Sequence, residues 1–246
     1  MTLVAAALLA LGLTDMTLDA TTNTLSTSKR APLALLVSFV AALVVFILAG
    51  RSALSSFIFA ALISAATFPW ISQSSWLNDR PRVRLGSIGL LLGAALACSS
   101  TAPETHGVFQ DWFEHLPTSA ARSVSATQAL LAGAGGIFLL NTTNRVVRLT
   151  LDSTNAKRET GEERLRGGRY IGSIERLIIA SLILAGSLDG AGLIIAAKGF
   201  IRLPEIRSPA DQQAGKADEV AEYFLIGTLT SVIISAGLAV LIITAH

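Results

Sequence analysis

Glu175, Lys198 and Glu222 are the residues whose type and placement could do chemistry, because each sits in or beside an apolar stretch of the C-terminal third of the chain. An ionisable group in hydrocarbon is costly unless it faces a cavity, a partner or a bound ion. Two carboxylates and one amine suit either a proton or ion relay through Glu175 and Glu222 gated by Lys198, or a lock in which Lys198 bridges both acids. In the second case Arg176 snorkels to lipid headgroups, and Tyr223 flanks the acid at 222. Asp15 joins this class of buried acid if the first helix crosses the membrane. The lock is the expectation, since all three charges fall near an interface, whereas relay acids lie closer to mid-membrane.

A second group, His106, Asp111, Glu114 and His115, contains ordinary metal-ligand types. The same stretch carries Val108, Phe109, Trp112, Phe113 and Leu116 at helical spacing, which describes a helix lying in the membrane interface. Such a helix needs a polar outer face regardless, and no H-E-x-x-H spacing is present, so no metal site is expected. Cys98 is the single cysteine, which leaves no disulfide or thiolate cluster. No Ser/His pair, paired Asp or metal motif falls within an apolar run, so neither an enzyme nor a cofactor is expected.

The elements that must position these groups are membrane helices. With 52% hydrophobic residues, 15% charged residues and a mean hydropathy of +0.60, the chain departs far from a water-soluble globular composition. Its net charge of +2 is too small to suggest a nucleic-acid surface. The runs Pro32–Gly50, Ser52–Ile71, Leu85–Cys98, Val124–Leu140 and Tyr223–Ala245 are long enough, or nearly so, to cross roughly 30 Å of hydrocarbon at about 1.5 Å per residue. If the chain alternates sides from run to run, seventeen of its nineteen Lys and Arg collect on one side, leaving Arg51 and Arg122 on the other. Positive charge marks the cytoplasmic side, which sets the orientation.

Residues 1–13 are apolar but short for a span, and the reading preferred here extends their helix through Thr14, Asp15 and Met16, with the amino terminus outside. Gly50–Arg51 allows only a tight turn. Trp70 and Trp76 are expected as interfacial anchors, and Arg80, Arg82 and Arg84 as inside markers. Gly89, Gly93 and Ala97 form a four-spaced small face that should be buried in the bundle. Gly133, Gly135 and Gly136 either permit close packing or break the fifth run.

The stretch 144–169 carries seven basic residues against four acids and reads as a short amphipathic extension at 145–151 followed by a cytoplasmic connector. After it comes a helical hairpin turning at 187–190, with a first arm so short that either Glu175 and Arg176 enter the membrane edge or the hairpin is re-entrant. The last helix presents Gly227, Ser231, Ser235 and Ala239 as a small ladder for the hairpin to pack on, with Glu222 at the level of Glu175 and Lys198. The expected fold is therefore an all-α polytopic transmembrane bundle of about seven or eight helices. It comprises an N-terminal bundle at 1–142 with an external loop at 99–123, a connector at 143–169, and a three-helix block at 170–246.

The motifs G-R-Y-I-G-x-x-E-R-L from Gly168, A-A-K ending at Lys198, and A-E-Y-x-L-I-G-T from Ala221 give residues 167–245 a resemblance to the C-terminal block of a family of polytopic membrane proteins from bacteria and phages whose role is unassigned. The resemblance implies a multi-helix protein of a bacterial cytoplasmic membrane. Members resembling this block begin with a helix carrying His and Asp three residues apart. This chain has Thr14–Asp15 and no His before His106, so activity resting on that pair does not carry over. A membrane-embedded scaffold or partner-binding subunit, associating with lipid and with a protein partner or a second copy, needs the fewest special residues. The alternative is a small-solute or ion transporter using Glu175, Lys198 and Glu222.

Overall fold

The computed structural model describes residues 1–22, 24–72, 80–99, 107–116, 124–154, 168–206 and 216–245. These residues form ten helices and no strands: α1 (Thr2–Ala20), α2 (Thr27–Leu48), α3 (Ala53–Ile71), α4 (Pro81–Ser99), α5 (Val108–Glu114), α6 (Ala126–Leu140), α7 (Thr142–Ser153), α8 (Gly168–Leu184), α9 (Leu188–Ile206) and α10 (Lys216–Thr244). Five of them, α1 to α4 and α10, are long and apolar enough to cross a membrane. The chain is thus an all-helical membrane bundle. The larger number of spans expected from the sequence includes α6, which at 15 residues covers only about 22 Å, and the hairpin arms α8 and α9, whose apolar runs are interrupted by charge.

Two compact units divide the chain, one formed by Met1–Thr142 with Ile242–His246 and the other by Thr143–Leu241. In the first, α1 is the centre. It runs unbroken through Asp15, and its alanine-rich sequence lets α2, α3, α4 and α6 pack around it. Leu3, Val4, Leu8 and Leu11 are buried together with Ala5, Ala6, Ala7 and Ala10. At Gly12 a Cβ would fall 2.8 Å from Ile137 Cγ2 and 3.0 Å from backbone atoms of Ile137 and Phe138, so glycine sets the closeness of the α1–α6 crossing. Helix α6 continues unbroken through its three glycines.

Between α2 and α3 the turn closes through Gly50 at φ 74°, with the Arg51 N–H donating to the Phe46 carbonyl and the Gly50 N–H to that of Ile47. Arg51 lies over the Phe46 and Phe59 rings at 5.7 and 5.1 Å. Between these two helices the Phe39–Phe57 and Phe46–Phe59 ring pairs, at 5.2 and 5.8 Å between centroids, are joined by polar contacts. Ser38 and Thr67 share a hydrogen bond of 3.2 Å, and Ser64 Oγ donates to the Leu35 carbonyl at 3.0 Å.

Helix α4 departs from expectation. It is the least covered of the five spans, and Gly89, Gly93 and Ala97 face outward, with nothing within 4 Å of a Cβ at either glycine. Its buried residues are Arg84, Ile88, Leu91 and Ala95, on the opposite side of the helix. The cost of exposing Arg84 to lipid exceeds what the small stripe gains by close packing, so the arginine decides which face turns inward.

In the second unit α8 and α9 form the hairpin. Its turn lies at 185–187, just before the expected position, and Asp189 falls in the first turn of α9, where the helix dipole favours an acid. Gly186 at φ 76° closes α8, with the Ser187 N–H donating to the Leu182 carbonyl at 2.8 Å. Gly190 lies where a Cβ would meet Ser187 Oγ at 2.7 Å and Leu182 Cδ2 at 3.3 Å, which keeps the two arms close. Helix α7 is the amphipathic extension, with Leu149 and Leu151 buried and Arg148 and Asp152 exposed.

Candidate functional site

The second unit brings Lys198 and Glu175 together. The Lys198 ammonium on α9 donates to Glu175 Oε2 on α8, and both side chains remain about a quarter exposed. Glu222 does not join them. It is exposed on α10, and Lys198 makes its ion pair with Glu175 alone among the described residues. The expected three-member cluster is therefore a pair, for a physical reason: one ammonium already held by a carboxylate gains little by drawing a second acid out of solvent. Tyr223, beside it, is half-buried.

Arg176 is not a snorkelling residue. It is 3% exposed, and its guanidinium sits among neutral oxygens from three helices. Nη2 donates to Asn144 Oδ1 on α7 and, at 3.1 Å, to Ser173 Oγ on its own helix, while Nη1 reaches Ser231 Oγ on α10 at 3.4 Å. Asn144 Nδ2 closes the ring by donating to Ser173 Oγ at 3.0 Å. The small ladder on α10 makes this approach possible: Ser231, Ser235 and Ala239 are buried, and a Cβ at Gly227 would lie 3.8 Å from Val147 and Leu151 of α7. The planar five-donor guanidinium suits several acceptors at once. Asn144, at the edge of the charged stretch, carries no sequence signal that marks it as a partner.

The first unit holds a second polar cluster. Asp15 is 3% exposed, and Trp70, fully buried, donates its indole Nε1–H to both carboxylate oxygens at 3.0 Å. Arg84, also buried, donates from Nη2 to the Trp70 carbonyl at 2.9 Å and stacks its guanidinium 5.8 Å from the Trp70 ring centroid. Trp70 is thus the joint between an acid on α1 and a base on α4, not an interfacial anchor, and Arg84 is more than a mark of sidedness. The available signal was Asp15 itself, since a carboxylate within an apolar helix demands a donor nearby. Trp76 lies outside the described residues.

On and just after α5, His115 Nδ1 lies 2.6 Å from the Asp111 carbonyl oxygen, and Gln110 Nε2 donates to Glu114 Oε1 at 2.8 Å. His106 lies outside the described residues, and among those described no three His, Cys, Asp or Glu side chains are grouped so as to hold a metal. Chemically, both polar clusters can tie helices together, and among the described residues the Lys198–Glu175 pair differs from them in staying about a quarter exposed. Comparison with protein-family models, curated proteins and solved structures returns no match.

Proposed function

We propose that this membrane protein is an embedded scaffold or partner-binding subunit of a bacterial cytoplasmic membrane, without enzymatic activity, and that its intramembrane charges hold helices together. One observation carries the reading: the buried ionisable groups are engaged across helices, Asp15 by Trp70, Arg84 by the Trp70 carbonyl, and Arg176 by Asn144 and Ser231. Groups spent on such contacts gain nothing from being available to a moving ion. The distribution of Lys and Arg supports placing the stretches 21–30 and 143–169 in the cytoplasm, with the loop at 99–123 and the carboxyl terminus outside. The motif resemblance of residues 167–245 supports a bacterial or phage setting.

Transport of an ion or small solute is the competing reading, and the partial exposure of the Lys198–Glu175 pair is the observation in its favour. Lys198→Met separates the two. As part of a lock it lowers stability in detergent by about 1–2 kcal/mol, between the values for surface and buried pairs, and adding Glu175→Gln restores most of the loss. Glu222→Gln leaves stability unchanged. A Lys198→Met protein of full stability that abolishes ion or solute flux in proteoliposomes would replace the scaffold with a transporter.

A further inference from the structure

We infer that α5 is a lipid-surface anchor, seated by Gly107 on the α2–α3 turn and inserting Val108 and Trp112 into the headgroup layer. A Cβ at Gly107 would fall 2.4 Å from both the Gly50 nitrogen and the Leu48 carbonyl oxygen and 2.5 Å from the Ala49 carbonyl carbon, so α5 begins in backbone contact with that turn. Since α2 and α3 are membrane spans, the turn between them marks one face of the bilayer, and α5 starts at that level. This depth identifies lipid as the occupant of the helix's open apolar side.

The helix divides into three edges at about 100° per residue. Phe109 and Phe113 are half-buried, with ring centroids 6.0 Å apart, and form its covered edge. Val108 and Trp112, one turn apart, are 68% and 59% exposed and extend the apolar arc sideways beyond what the protein covers. Gln110, Asp111 and Glu114 form a polar edge, with Gln110 and Glu114 hydrogen-bonded to each other. A helix with an apolar arc wider than its covered face, lying level with the ends of membrane spans, places the remainder of that arc among headgroups, where an indole is well accommodated. Residues 107–116 contain no Lys or Arg, so the attachment is apolar and should be insensitive to salt.

The test uses the full-length protein with Cys98→Ser, reconstituted in zwitterionic phosphatidylcholine vesicles, with single nitroxide labels at Val108→Cys, Trp112→Cys, Gln110→Cys and Glu114→Cys. Collision with oxygen relative to a water-soluble nickel complex should be several-fold higher at 108 and 112 than at 110 and 114, and unchanged between low and high salt. A water-exposed signal at 112, or a ratio that collapses in salt, overturns the proposal. So does a label at 112 shielded from both reagents with spin–spin broadening that grows with protein density, since a second copy would then cover this face. The native tryptophan gives an independent reading. The fluorescence lost in Trp112→Phe should be the component quenched by lipids brominated near the glycerol end of the acyl chain, and its resistance to every brominated lipid would equally refute the insertion.

Discussion

Removing the indole donor at position 70 isolates the worth of the Asp15 contact. In Trp70→Phe, a carboxylate that is 3% exposed loses the N–H that reaches both of its oxygens at 3.0 Å. A hydrogen bond to a charged group contributes about 1.5–3 kcal/mol in water-soluble proteins. Interhelical hydrogen bonds in membrane proteins average roughly 0.6 kcal/mol and reach about 1.7 kcal/mol. Full burial and a shared donor place this one at the top of the membrane range, so we expect a coupling of about 1.5 kcal/mol, near a tenfold change in the folding equilibrium. The smaller ring adds a packing loss on the order of 1 kcal/mol, which a double-mutant cycle with Asp15→Ala removes. Unfolding in mixed micelles, followed by circular dichroism as a denaturing detergent is titrated, should show Trp70→Phe with Asp15→Ala to be more stable than the sum of the single losses requires. Asp15→Asn, which keeps one acceptor, should show about half the coupling. Additivity within about 0.5 kcal/mol would refute the reasoning.

The other expectations concern the same helices. Arg176→Lys cannot serve Asn144, Ser173 and Ser231 together and should cost about 1–3 kcal/mol in the same unfolding assay, whereas Ser231→Ala, which loses only a 3.4 Å contact, should cost less than about 1 kcal/mol. Gly12→Ala forces a methyl group against Ile137 at 2.8 Å and against backbone at 3.0 Å, so stability should fall by about 1–3 kcal/mol, while Gly227→Ala meets neighbours at 3.8 Å and should stay within about 0.5 kcal/mol of wild type. Compartment reporters inserted at Ser26, Lys157 and Asp211 should lie on one side and those at His106 and the carboxyl terminus on the other. Opposite sides for positions 157 and 211 would break the proposed orientation.

The helices and their turns were legible because apolar runs and Gly-containing breaks are local signals. Gly50 and Gly186 end helices where the sequence offers a left-handed residue between two apolar stretches. Which face of each helix turns inward was harder to read. In a water-soluble protein an apolar stripe marks the buried side, but in a bilayer lipid is as apolar as the core, so α3 and α4 carry almost no periodic signal. The choice then falls to small and polar residues, and on α4 these disagree: Gly89, Gly93 and Ala97 point one way and Arg84 the other. Reading Arg84 only as a mark of sidedness hid its second role as a buried donor to α3, and with it the position of Trp70. At Glu222 the failure was different, because helix level can be counted from the sequence while the direction of a side chain around α10 cannot.

Depth along each helix distinguishes the two clusters energetically. Asp15 lies five residues from the end of α1, about 7.5 Å, Trp70 one residue from the end of α3, and Arg84 three residues into α4, about 4.5 Å. The ends of membrane spans lie near water and headgroups, which moderates the cost of the Asp15 and Arg84 charges. Arg176 lies eight residues into the seventeen of α8, about 12 Å from its start, and is 3% exposed, whereas the adjacent Glu175 keeps about a quarter of its side chain exposed. The neutral oxygens of Asn144, Ser173 and Ser231 are among the groups that replace the hydration its buried guanidinium gives up. A methionine at 176, which needs no such replacement, should consequently be tolerated better than lysine, which keeps the charge but not the geometry. If lysine proved the milder change, the guanidinium would be held for its charge, and the reading of this cluster as a purely structural clasp would fail.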